Sequence, residues 1–154
     1  MTKERLENST FRLLASDLIA SGYGLRFQAK GRSMMPTIHD GEIVHIKPIA
    51  SNTLRIGDIV LLRRGEEFKA HRIIRRHGPL FITRGDAGVG TDGEIRCDQI
   101  LGKVIAKEAI GSRRLVRLDR FPARLSFFTS EARRRASFLL LSRRKHGKHS
   151  ADAS

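Results

Sequence analysis

The chain has 154 residues, enough for one domain with its own core and too few for two of ordinary size. Its formal net charge is +14, and the excess is uneven: 18 basic against 13 acidic residues through Ser112, net +5, then 12 against 3 from residue 113 on, net +9. A single cysteine, Cys97, excludes an intrachain disulfide and reads as a packed or half-exposed thiol; no Cys/His cluster has zinc-ligand spacing, so there is no structural metal signal, and the function expected below calls for no metal or organic cofactor.

Near the N-terminus, Phe11, Leu14, Ala15, Leu18 and Ile19 recur at three- and four-residue spacing within residues 3–21 and stop at Gly22 and Gly24, which predicts one amphipathic helix. Lys3, Glu4, Arg5 and Glu7 stand where a secretory signal needs an apolar run, and no window approaches 18 uncharged apolar residues, so no membrane-spanning segment is expected. Residues 25–29 read as a short strand, and alternation or apolar runs predict further strands over 42–49, 58–64, 68–76, 80–84, 100–109 and 113–118. The fold class is therefore mainly β: an N-terminal amphipathic helix over 1–24, a compact β domain over 25–119, and a basic, amphipathic, helical appendage over 120–154.

Between the first two strands lies Gly31-Arg32-Ser33-Met34-Met35-Pro36-Thr37-Ile38-His39-Asp40-Gly41. Glycine before and proline after constrain the backbone at Ser33 into a turn and give one hydroxyl a fixed direction. In most proteins such a serine is only a polar turn residue. A serine becomes a nucleophile when a base lies within hydrogen-bond reach and a third group orients that base. His71, on a strand where Lys69, His71 and Ile73 share a face, and Asp86, ending the next strand in Arg84-Gly85-Asp86-Ala87, are able to converge on it across a hairpin. Spacing alone leaves the ordinary readings open, a packed strand histidine and a Gly-Asp turn. His39, His45 and His77 read as turn and strand residues with no identifiable partner.

Four stretches taken together resemble the type I signal peptidases and their relatives, which share a β fold with the LexA-like self-cleaving repressors. Gly31-Arg32-Ser33-Met34-Met35-Pro36-Thr37 resembles the nucleophile box and Gly57-Asp58-Ile59-Val60 the second box. His71-Arg72-Ile73 falls where the archaeal and endoplasmic-reticulum branch carries its base histidine, and Arg84-Gly85-Asp86-Ala87 resembles that branch's last box, with Asp92 where a second acidic residue follows. The resemblance covers roughly residues 25–105 and implies Ser33 as nucleophile, His71 as general base and Asp86 as its orienter, with Asp92 as support. It also implies the Ser33 amide as an oxyanion donor, and Arg32 and Met34 as groove residues. Lys69 is two residues out of register for the base role. The usual anchoring helix before the serine box is not expected in this stretch, because 11–24 is short and contains Arg12 and Asp17.

The appendage interleaves Phe121, Leu125, Phe127, Phe128 and 138–141 with Arg124, 133–135, 143–145 and Lys148. An anionic membrane surface bound through Arg120–Lys148 is the preferred reading, a charged helix docked on the domain the second, and nucleic acid the disfavoured third, since no reading motif is present. The residues from Gly147 on are expected to be disordered.

The expected function is a serine endopeptidase removing a signal or leader peptide from a precursor polypeptide, peripheral to a membrane or cytoplasmic. The alternatives are a dedicated cytoplasmic maturation protease for one precursor and, of another class, a LexA-like DNA-associated regulator. Against the last stand the short N-terminal helix and the lack of an Ala-Gly cleavage site before Ser33.

Overall fold

A computed structural model describes residues 13–65, 67–112 and 114–119. The expectations for the rest of the N-terminal helix and for the whole appendage fall outside these residues.

Residues 13–20 are helical and bury Ala15 and Ile19, two members of the predicted stripe four residues apart. Leu14 is exposed instead, so the helix rests on the sheet along a narrower line than the periodicity suggests. Among the described residues eight strands follow: β1 Leu25–Gln28, β2 Ile43–Lys47, β3 Ile59–Arg64, β4 Glu67–His77, β5 Leu80–Arg84, β6 Glu94–Ile95, β7 Ile100–Glu108 and β8 Leu115–Arg117. They form one antiparallel sheet in the order β1-β2-β7-β3-β4-β5-β6, with β8 on β7. The mainly β class read from the sequence is what the chain adopts. β6 is too short to leave a period-2 signal, as are the 3-10 turns at Ser51–Thr53 and Cys97–Gln99.

The centre of the sheet is β3, bonded to β4 on one side and β7 on the other. Its Ile59 and Leu61 pack into one apolar cluster with Val44, Ile46, Val104, Met34 and Ile38. Its Val60 and Leu62 pack into a second, with Ile73, Phe81, Ile95 and Leu54. A strand buried on both faces reads as a continuous apolar run, which is why Ile-Val-Leu-Leu stands there.

Asp58 fixes the entry to β3. Its buried carboxylate accepts the Arg55 backbone N–H at 2.9 Å and pairs with Lys103 of β7 at 2.9 Å. Gly57, at φ 93°, turns the chain so that its N–H and the Asp58 carbonyl both bond Ile73 of β4 at 2.8 Å. The Gly57-Asp58 box is thus a clamp holding β4 in register next to His71.

Candidate active site

Between β1 and β2 the chain makes a loop over residues 29–42 whose neck is closed by Ala29 N–H to Glu42 O and Gly41 N–H to Ala29 O. Met34 and Ile38 anchor it by burying in the first cluster, and the Gly31 N–H donates to Asp40 at 2.7 Å. The buried Glu42 carboxylate holds the C-terminal side of that neck, accepting the His39 N–H at 2.8 Å and Lys107 at 2.9 Å. Burial pushes this carboxyl up, but the His39 N–H and Lys107 outweigh it and hold it below the usual glutamate value.

Ser33 sits on this loop with its carbonyl accepting the Ala87 N–H at 2.9 Å. That contact brings Gly85 so close that a Cβ there would lie 2.5 Å from Ser33 O and 3.2 Å from His71 Nε2, so glycine is the residue that fits. Ser33 Oγ lies 3.2 Å from His71 Nε2, and His71 Nδ1 lies 2.6 Å from Asp92 Oδ2. The tautomer that satisfies both contacts donates Nδ1–H to Asp92 and accepts the serine proton at Nε2. Asp92 is fixed in turn: its N–H donates to Thr83 O at 2.9 Å, and the fully buried Thr83 hydroxyl donates to the same Oδ2 at 2.7 Å.

The carboxylate at the imidazole is therefore Asp92, and the expectation that Asp86 faces His71 is corrected. Asp86 takes a bidentate pair from buried Arg72, Nε to Oδ1 at 2.8 Å and Nη2 to Oδ2 at 2.6 Å, and accepts the Thr37 hydroxyl. Arg72 also donates to Gly57 O at 2.8 Å. The physical reason is the strand's two-residue period. His71 and Arg72 point to opposite faces of β4; Thr83, paired with Ile73, lies on the His71 face, and Arg84, paired with Arg72, on the other. Asp86 follows Arg84 to the Arg72 side, and the 87–91 loop folds back to return Asp92 to the Thr83 side.

Ser33 and His71 open on a groove of about 740 Å³ floored by Phe27, Ala29, Met34, Ile38, Phe68 and Ala70 and rimmed by Lys30, Glu67 and Lys69. Met34 lines it, whereas Arg32 is exposed and stands outside the lining. Lys69 pairs with Glu67 at 2.9 Å. Three residues escaped the sequence reading, Thr83, Arg72 and Arg64, whose Nη1 donates to Asp92 O at 2.7 Å. Arg72 alone had a signal, its place beside His71 in a recognisable box.

His45 and His39 have partners the sequence did not reveal. His45 Nε2 contacts Glu108 at 2.6 Å, and Arg26 grips the same carboxylate at 2.8 Å. The His45 bond, against some burial and with help from Arg26, holds the Glu108 carboxyl below its usual value. His39 lies 3.7 Å from Glu42, and the Cys97 thiol is exposed. Among the described residues no helix is long and apolar enough to cross a membrane.

A serine hydroxyl, an imidazole and a carboxylate in line on an antiparallel β domain, beside a groove, make the arrangement of a serine-peptidase β domain. The model of the Peptidase S24-like family matches residues 2–83, more than half of the chain. The protein belongs to the Peptidase S24-like family. The match includes Ser33 and His71 and stops before Asp86 and Asp92, so it does not bear on which carboxylate faces His71. No curated protein sequence is significantly similar to it.

Proposed function

We propose that the protein is a serine endopeptidase that removes a signal or leader peptide from a precursor polypeptide, with Ser33 as nucleophile, His71 as general base and Asp92 as the orienting carboxylate. The observation that carries this reading is the line Ser33 Oγ, His71 Nε2, His71 Nδ1, Asp92 Oδ2, at 3.2 and 2.6 Å, opening on an apolar groove.

His71 Nε2 takes the serine proton as Oγ bonds to the scissile carbonyl carbon, and the resulting oxyanion is met by the Ser33 N–H. The C–N bond then breaks, and the leaving amine takes the proton from His71. Water, deprotonated by His71, hydrolyses the ester and regenerates Ser33. Asp92 stays ionised throughout and stabilises the imidazolium.

An extended peptide suits the groove, because β5 covers β4 only from Arg72 to His77 and the stretch before it, Lys69 to His71, borders the groove opposite β1. Alternate side chains then enter the pocket at Met34, Ile38 and Ala70. The basic residues 120–148 supply attachment to an anionic membrane surface in this reading.

The test is labelling with a fluorophosphonate followed by mass mapping. An adduct on Ser33, lost in Ser33→Ala and strongly reduced in His71→Ala, is expected; an adduct on another residue overturns the assignment. The family match also favours a second reading, a LexA-like regulator that cuts its own chain. Cleavage of an added peptide separates the two, since the regulator would show only concentration-independent self-cleavage.

A further inference from the structure

Asp92 presents two oxygens, and Oδ2 is already occupied by His71 Nδ1 and by the Thr83 hydroxyl. What fixes the backbone beneath it comes from two strands. From β5, the Thr83 carbonyl accepts the Asp92 N–H at 2.9 Å. From the end of β3, Arg64 Nη1 donates to the Asp92 carbonyl at 2.7 Å while its guanidinium stands 3.9 Å from Oδ1. Asp92 closes a loop containing Gly88, Gly90 and Gly93, the last at φ 79°, so its immediate neighbours do little to hold it. The tether crosses 28 residues of sequence and originates at the end of the strand whose Ile59–Leu62 run is buried.

We propose that Arg64 is a positioning residue for the Ser33, His71 and Asp92 line, acting on the imidazole through Asp92; the inference rests on the peptidase reading. A 53 % exposed guanidinium at 3.9 Å is a screened, weak ion pair that adds little to stability. Its short bond to the carbonyl does something different: it fixes where the carboxylate begins. An error there is passed to Nδ1 and then to Nε2, and small misplacements of a base are costly to a reaction that depends on alignment. Arg64 therefore matters more to rate than to folding, the reverse of an ordinary surface ion pair.

The experiment compares the full chain with Arg64→Met, which keeps the alkyl stem, and Arg64→Lys, which keeps a donor. It reads fluorophosphonate acylation rate, thermal midpoint, and the low-field proton resonance of the hydrogen-bonded His71 ring N–H. Arg64→Met is expected to slow acylation about tenfold, within the coupling range of contacting residues, with the thermal midpoint nearly unchanged. Its His71 resonance should move upfield or broaden, and Arg64→Lys should recover part of both effects. In an Asp92→Asn background, Arg64→Met should add almost nothing, because the path runs through Asp92.

An unchanged resonance and rate in Arg64→Met overturn the inference while leaving Ser33 labelling, and so the peptidase reading, intact. An equal loss in the Asp92→Asn background also overturns it. Failure of the parent chain to label at Ser33 sinks the peptidase reading, and the ring resonance then still decides whether Arg64 places Asp92 against His71.

Discussion

His71 and Arg72 are neighbours in the chain, and the networks they anchor on opposite faces of β4 differ in construction. On one face, Ser33, His71 and Asp92 meet through contacts of 3.2 and 2.6 Å, with His71 and Asp92 side chains 10 % and 14 % exposed. On the other, Arg72 and Asp86 are joined by a two-point bond at 3 % and 7 % exposure, with Thr37 and the Gly57 carbonyl completing the shell. The first network has a hydroxyl able to move its proton and access to a groove. The second has no room for a substrate and joins the serine loop, the β3 entry and the Gly85-Asp86 turn into one frame. A strand's alternation lets chemistry and framework lie back to back, one residue apart.

The sharpest way to break that contrast is to neutralise each carboxylate separately. Asp92→Asn is expected to cut acylation by up to about 10,000-fold, because the imidazole loses the partner that sets its tautomer. Its urea midpoint should change little. Asp86→Asn should do the opposite, lowering stability by about 3–5 kcal/mol in urea titration, the cost of leaving Arg72 buried with a broken pair. Equal losses of acylation in the two variants, with stability unchanged in both, would erase the distinction between the faces.

Gly85→Ala tests whether the frame sets the site's geometry. A Cβ placed 2.5 Å from the Ser33 carbonyl must push the serine loop away from His71. We expect a destabilisation of about 1–3 kcal/mol by overpacking, together with slowed Ser33 acylation. Parent-like kinetics would show that the loop is not held by this contact.

The smallest effect concerns Glu42, which ties the serine loop to β7 through Lys107. Its carboxyl lies below the ordinary 4.5, so its stabilising contribution is present above that pH and is lost as pH falls through the lower folded value. The urea-midpoint difference between the parent and Glu42→Gln should be widest near neutrality and shrink below about pH 4.5. A difference that grows in acid would contradict the assignment.

Much of the fold was legible because strong signals coincide. The apolar run of β3, the glycine-punctuated strands and the Gly/Pro-constrained serine turn each report backbone requirements directly, and Ser33 and His71 follow from them once the boxes are aligned. The carboxylate was not legible. Asp86 and Asp92 lie six residues apart around a glycine-rich loop, and which one reaches His71 depends on the loop's return to Thr83 and on the register shift between Ile73 and Arg75. Neither leaves a compositional trace. Thr83 and Arg64 were missed for the same reason, since their contacts exist only once the strands are paired.

The double burial of β3 has a consequence for how the molecule loses its site on warming. Amides in Ile59–Leu62 have no solvent face and should exchange their hydrogens only when the whole sheet opens. His71 pairs directly with Val60 and so belongs to that slowest-opening unit, whereas Ser33 and Asp92 stand on loops outside it. Excursions of either loop, far smaller than unfolding, carry the nucleophile or the carboxylate away from a base that stays in place. Acylation should therefore fade at temperatures where the sheet is still protected, and return on cooling without any refolding step.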